Sequence, residues 1–333
     1  MKIDKTAILG AGSWGTALAW LWARDDRSIV LWARNPDRAA RMQTSRENSD
    51  YLPEIKLPGA VQITSDLRDC IDAGLIIFAM PSTALRTIAT QLHQVRPNGH
   101  AVFLTCTKGI EQGSGMLMSQ ILGEIFPKQI VAVLSGPNLA GDVARNLPTA
   151  TVIGCADQTW ATALQDFLGR SRFRIYTSAD VSSIELGGAL KNVFALAAGI
   201  SDGIGLGDNA KAALVTRSLA ELVRLGVAMG GNPQTFSGLS GVGDLIVTCY
   251  SERSRNHTVG RRLGRGEPLH EITASMKMVA EGISNARSAS ECARRLKIDT
   301  PIIEQVYAMF YEQKPPLAAL KELLGREQKA EGA

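Results

Sequence analysis

The chain has 333 residues, 45% hydrophobic and 20% charged, with a formal net charge of +4. That length suggests two domains at the usual ~100–200 residues each, and the balance is that of a globular protein with a large core rather than a disordered or fibrous chain. The small positive excess does not by itself indicate a nucleic-acid partner, and no uninterrupted apolar run reaches the roughly 18–20 residues of a membrane span.

In chain order, short apolar runs at 6–9, 29–33, 61–63, 75–79, 101–105 and 130–134 read as strands. They are often β-branched and lack two-residue alternation, the pattern of strands buried on both faces of a parallel sheet. Helical patterns lie between them, among them 14–23 and 114–126, and Asn35-Pro36 reads as an N-cap followed by a proline at the first helical position. Runs at 151–154 and 173–176 extend the series. Strand–helix alternation of this kind predicts a doubly wound α/β sheet. Beyond about residue 180 strand runs nearly vanish, and helices are expected at 182–200, 209–229, 284–296 and 301–311. The expectation is an α/β domain over 1–180, a mainly α-helical domain over 181–333, and a frayed polar end at 327–333.

Gly10-Ala11-Gly12-Ser13-Trp14-Gly15 is a G-x-G-x-x-G run that follows the first strand and opens a helix. This is the context required of a dinucleotide-binding, Rossmann-type loop. Gly10 allows the tight turn, Gly12 the approach of a pyrophosphate and Gly15 close helix–sheet packing. The helix start offers free N–H groups to the phosphates. After the second strand, where NAD-selective sites usually carry an acid, the chain reads Ala33-Arg34-Asn35. A guanidinium there suits a 2′-phosphate, so NADP(H) is favoured, with NAD(H) a possible cofactor.

The helix around Ser182–Ala198 is apolar nearly all round yet carries Lys191 and Asn192. A buried lysine is costly without partners or a task. Gly187, Gly188 and Ala195 share its face, and this trough of small residues reads either as room for a ligand or as close helix packing. Glu185 and Asn192, seven apart, are expected to touch.

Glu185 and Ala189-Leu190-Lys191-Asn192, taken with the N-terminal glycine loop, resemble bacterial NAD(P)-dependent glycerol-3-phosphate dehydrogenases. Thr107-Lys108-Gly109, Ser135-Gly136-Pro137, Gly238–Leu245, Ser254-Arg255-Asn256 and Val279-Ala280-Glu281-Gly282 follow in that family's order. The resemblance implies interconversion of dihydroxyacetone phosphate and sn-glycerol 3-phosphate, supplying phospholipid synthesis. It implies Lys191 as the proton donor or acceptor. Lys108, Gly136, Asn138, Lys191, Asp244, Ser254, Arg255 and Asn256 would surround the substrate. Gly10, Gly12, Ser13, Trp14, Gly15, Arg34, Lys108, Ala140, Arg255, Val279 and Glu281 would meet the cofactor. Asn138 departs from the family, which usually has Ser or Thr there.

Burial and the second cation at Lys108 are expected to lower the Lys191 pKa from about 10.4, with Asp244 opposing them or orienting the ammonium. The arginines of 251–265, with His257, lack the aromatic interleaving of a nucleic-acid module. Gly199, Gly203, Gly205 and Gly207 read as a hinge or as close packing between two helices. The later motifs weigh against related enzymes acting on 6-phosphogluconate or ketopantoate, and against a nucleotide sensor without turnover. Five scattered cysteines without metal or redox spacing are expected to be buried thiols, no metal is expected, and with no secretory signal the expected location is the cytoplasm. Expected partners are a small phosphorylated substrate and no nucleic acid or membrane, with a homodimer as a possible assembly that no motif specifies.

Overall fold

In a strand buried on both faces, alternate side chains must find separate cores. In β1 (Lys5–Leu9), Ile8 joins one hydrophobic cluster while Ala7 and Leu9 join another on the opposite face. The computed structural model describes residues 3–23, 27–276, 279–328 and 330, so the expected frayed end lies partly outside the described residues. The other strands are β2 (Ser28–Trp32), β3 (Glu47–Asn48), β4 (Leu52–Lys56), β5 (Val61–Thr64), β6 (Leu75–Phe78), β7 (Val102–Thr105), β8 (Val131–Ser135), β9 (Thr149–Gly154) and β10 (Phe173–Ser178). Eight of them form one sheet in the order β10-β9-β8-β7-β6-β1-β2-β5. All neighbours run parallel except β8 and β9, which pair antiparallel.

Helices α1 (Ser13–Trp22), α2 (Pro36–Ser45), α3 (Ser82–Gln94), α4 (Met118–Ile125), α5 (Ala140–Ala144) and α6 (Gln158–Leu168) accompany this sheet. The Asn35 side chain accepts from the Arg38 N–H at 2.8 Å, with Pro36 in the first turn, as expected. Helix α4 starts at Met118 rather than near 114, because Gly113 and Gly115 adopt positive φ and turn the chain first. The β3–β4 hairpin was not expected. Its Asn48 amide donates to the Ala11 carbonyl (3.0 Å) and the Thr16 hydroxyl (2.8 Å), bracing the glycine loop.

The remainder is helical: α7 (Val181–Ile204), α8 (Asp208–Ala228), α9 (Pro233–Phe236), α10 (Asp244–Tyr250), α11 (Arg255–Gly264), α12 (Leu269–Ala274), α13 (Glu281–Leu296), α14 (Pro301–Tyr311) and α15 (Pro316–Leu324), with a π-helical turn at Leu239–Gly243. By length and mean hydropathy (1.2) α7 could cross a membrane, but that window is wholly buried inside the protein. It is the central helix of the second core, packed by α8, α10, α11, α13 and α14. Gly199 and Gly203 lie within α7 rather than in a turn: a Cβ on either would strike the backbone of α11 at His257 or Arg261. Only Gly205 (φ +84°) and Gly207 (φ +83°) make the turn to α8. Close packing explains the first pair and chain reversal the second.

Candidate active site

The glycine loop closes over the C-terminal ends of β1 and β6. Gly10 has φ +115°, and a Cβ there would lie 2.6 Å from the Ala79 carbonyl oxygen. A Cβ on Gly15 would strike the Gly10 carbonyl. A Cβ on Gly12 would meet nothing within 4 Å. Gly12 is also the N-cap of α1, with no side-chain cap. The α1 N-terminus is thus open to a phosphate in the way a dinucleotide requires. The Ser13 hydroxyl donates to the Tyr51 carbonyl at 2.7 Å, Trp14 is half-buried, and Arg34 is exposed just beyond β2.

Glu281, at the start of α13, reaches the same region from the helical part. Its carboxylate accepts from the Ser82 N–H (3.1 Å) and hydroxyl (2.6 Å), three residues beyond Ala79. Burial raises its pKa against those bonds. Arg255 is exposed and donates to the Val279 carbonyl at 3.2 Å, which groups Arg255, Val279 and Glu281.

Lys191 is 7% exposed. Its ammonium donates to Asp244 Oδ1 and, at 2.7 Å, to the Thr248 hydroxyl. The second oxygen of Asp244 accepts from Lys108 at 2.5 Å, and Lys108 also donates to the Gly136 carbonyl at 3.1 Å. Lys191, Lys108, Asp244 and Gly136 therefore converge from α7, the loop after β7, α10 and the loop after β8. Asp244 is 1% exposed, one buried carboxylate between two ammonium groups. Burial pushes the Lys191 pKa down to about 8; Asp244 opposes the fall and Lys108 adds to it. Thr248 was missed in the sequence, although its place one turn beyond Asp244 on α10 is a visible signal.

The glycines beside Lys191 serve packing, not a ligand trough. A Cβ on Gly187 would lie 2.5 Å from the Ser240 carbonyl, and one on Gly188 would lie 2.6 Å from the Ser135 hydroxyl. The expected Glu185–Asn192 contact is also absent. Glu185 instead accepts from the Ser119 N–H at 2.9 Å and from its hydroxyl, at the start of α4. Asn192 accepts from the Asn256 amide at 2.8 Å. A spacing of seven puts Glu185 and Asn192 two turns apart, about 10 Å along the axis, so each finds a nearer partner on a neighbouring helix.

The remaining expected substrate residues divide into two kinds. Asn138 is held by the protein: its amide donates to the Ala150 carbonyl (3.2 Å) and its oxygen accepts from Thr151 (2.9 Å). Ala140 opens α5. Ser254 caps α11, accepting from the His257 N–H at 3.2 Å, and the Asn256 oxygen accepts from the Gly282 N–H at 2.9 Å. Arg255, exposed and tied among the described residues only to the Val279 carbonyl, turns a cationic end toward solvent, whereas the Lys108 ammonium is already paired with Asp244. The Ser135 hydroxyl is buried without a protein partner among the described residues.

Comparison with known proteins identifies the family and the fold. The family described as NAD-dependent glycerol-3-phosphate dehydrogenase matches through its N-terminal part at residues 5–161 and its C-terminal part at 180–321. A glycerol-3-phosphate dehydrogenase (NAD(P)+) of Geobacter sp. (strain M21) is 44% identical, with 99% of both chains covered. The protein of that name from Streptomyces griseus is 45% identical, with 98% of both covered. The crystal structure of glycerol-3-phosphate dehydrogenase from Coxiella burnetii superposes with a TM-score of 0.94 at 36% identity, covering 97% of this chain and 99% of that one. A ketopantoate reductase from Ralstonia eutropha, at 18% identity and TM-score 0.62, shares the fold alone. The chain therefore belongs to the NAD-dependent glycerol-3-phosphate dehydrogenase family.

Proposed function

We propose that the protein interconverts dihydroxyacetone phosphate and sn-glycerol 3-phosphate with NAD(P)H, NADPH being favoured, and so supplies glycerol 3-phosphate for phospholipid synthesis. Residues 1–180 act as the cofactor domain and 181–333 as the catalytic domain. The observation that carries the reading is the buried Lys191–Asp244–Lys108 cluster beside a glycine loop fit for a dinucleotide. The cofactor, when bound, supplies or takes the hydride. This chain's residues manage the proton, the charge and the orientation.

With a pKa near 8, Lys191 is mostly an ammonium at pH 7, yet can be deprotonated at little cost. It polarises the carbonyl at C2 and donates a proton to the developing alkoxide; in the reverse direction the neutral amine takes the hydroxyl proton. Asp244 and Thr248 each accept one N–H of the ammonium, which leaves the third for the substrate oxygen. Lys108 places a second positive charge beside the oxygen that gains negative charge. Ser254, Arg255 and Asn256, at the start of α11, hold the phosphate. Its binding energy orients the carbonyl. The protein works in the cytoplasm with small molecules, without nucleic acid or membrane, and self-associates as a homodimer.

Oxidation of NADPH at 340 nm with dihydroxyacetone phosphate tests the reading. Lys191→Ala is expected to lower turnover by at least ~10²-fold while NADPH still binds. Near-normal turnover in a folded variant removes Lys191 from the chemistry, and no NADPH oxidation by the wild type removes the activity.

A further inference from the structure

Three titratable side chains that the reaction does not use meet at the far end of α7. Asp202 lies about three turns beyond Lys191 on that helix. Its Oδ2 accepts from the Lys211 ammonium at 2.6 Å and sits 2.7 Å from His257 Nε2. Lys211 is 7% and His257 2% exposed, and the Lys211 ammonium also lies 4.6 Å from the centre of the Tyr250 ring. Burial opposes ionisation of Asp202, but the bonds from Lys211 and His257 prevail and hold its carboxyl below the usual value. Asp202 is therefore an acceptor, and His257 Nε2 donates to it. His257 Nδ1 has no protein partner among the described residues. Asp202 is only partly buried, but Lys211 is a buried charge, and a buried charge is a poor way to gain stability, since apolar residues of similar size often serve as well. Its use here points to a requirement for one fixed geometry.

The geometry concerned is that of the first turn of α11. His257 is the residue whose N–H is capped by Ser254, and its neighbours are Arg255 and Asn256. The absence of side chains at Gly199 and Gly203 brings α11 into backbone contact with α7. Such a glycine seam sets the spacing of the two helices but leaves them free to slide. The ring–carboxylate bond is directional and sets the register. We infer that the Asp202–Lys211–His257 cluster is a positioning device for the substrate's phosphate, fixing the turn that carries Arg255 so that the phosphate end of the substrate is held in one place.

This inference rests on the proposed phosphate site, and the test separates the two. The readout is the ratio of kcat/KM on dihydroxyacetone phosphate to that on dihydroxyacetone, with NADPH affinity and Tm measured alongside. Arg255→Ala tests the phosphate site itself: an unchanged ratio there overturns that reading and this inference with it. Given a lowered ratio in Arg255→Ala, His257→Leu is expected to lower it by about tenfold or more, as a small misplacement does, with NADPH affinity retained. His257→Gln, which can still donate to Asp202, should stay within about threefold of the wild type. His257→Asn is too short to reach Asp202 and should behave like the leucine variant. It decides the matter if that variant does not fold. Equal losses on both substrates, or a normal ratio in the asparagine variant, overturn the inference and leave the cluster a purely structural bond.

Discussion

Replacing Asp244 by asparagine isolates the charge that keeps Lys191 usable. The Lys191 pKa falls from 10.5 to about 8. At about 1.36 kcal/mol per unit, the site disfavours the ammonium by roughly 3 kcal/mol even with Asp244 present. Two unit charges about 4 Å apart attract by about 4 kcal/mol at an effective dielectric near 20. Asparagine keeps the shape and one acceptor oxygen but loses that attraction, and Lys108 then repels Lys191 unopposed. A further fall of at least about one unit follows. At pH 7.5 the ammonium fraction would drop from about three-quarters to about one-quarter. The assay is the pH profile of kcat/KM for dihydroxyacetone phosphate reduction, which reports the free enzyme's groups. Reduction needs the ammonium, so its alkaline limb should move to lower pH by a unit or more in Asp244→Asn. The oxidation reaction, which needs the free amine, should gain activity at lower pH. Circular dichroism and NADPH affinity control for folding. An alkaline limb that stays in place, or moves upward, would refute the account of Lys191 as the titrating group.

Three further outcomes are expected. Arg34→Ala should weaken NADPH by about one to two decades, from the roughly 1.5–3 kcal/mol of a charge-assisted bond, and leave NADH nearly unchanged; equal weakening of both would mean that Arg34 does not read the 2′-phosphate. Glu221 accepts from the Ile302 and Ile303 N–H groups, and burial raises its carboxyl from 4.5 to about 7. Its folded pKa is the higher one, so its contribution to stability is full below about pH 4.5 and is lost as pH rises through 7. Glu221→Gln should therefore gain stability relative to the wild type between pH 5 and 8, by up to about 3 kcal/mol in urea unfolding; a constant difference across that range would contradict the burial argument. All five cysteines are buried, and burial pushes Cys70, Cys106 and Cys249 up to about 12, so the native protein should show no rapidly reacting thiol toward a disulfide reagent at pH 8, and all five after denaturation.

The strands of the main sheet were legible because each is a short, apolar, β-branched run flanked by polar turns. The β3–β4 hairpin was not: Leu52-Pro53-Glu54-Ile55-Lys56 is largely exposed, and a proline demotes a run as a strand. Helix α7 announced itself through its apolar length, and Lys191 through its cost within that length. What sequence spacing could not supply was the identity of partners far away along the chain. Glu185 faces Ser119, 66 residues distant, and Asn256 faces Asn192, 64 residues distant. The glycines beside Lys191 were visible as small residues, but whether a ligand or the Ser240 backbone filled their space depends on a π-helical turn with no sequence period of its own.

Helices α3 and α4 have Pro81 and Leu117 at their N-caps, neither of which carries a side-chain oxygen to cap the first free N–H groups. The missing acceptors arrive from Glu281 and Glu185, 199 and 66 residues away from their partners. During synthesis from the N-terminus, the Ser82 and Ser119 N–H groups lack these acceptors until the helical part has emerged and docked, although Gln120 already accepts from the Leu117 N–H. A separately made 1–180 fragment would lack the Glu281 and Glu185 acceptors, at roughly 1 kcal/mol for each. The seam that divides this chain by composition near residue 180 is thus crossed by the caps of two helices on its N-terminal side. Completing these two helix starts waits on Glu185 and Glu281, and such long-range closure slows folding.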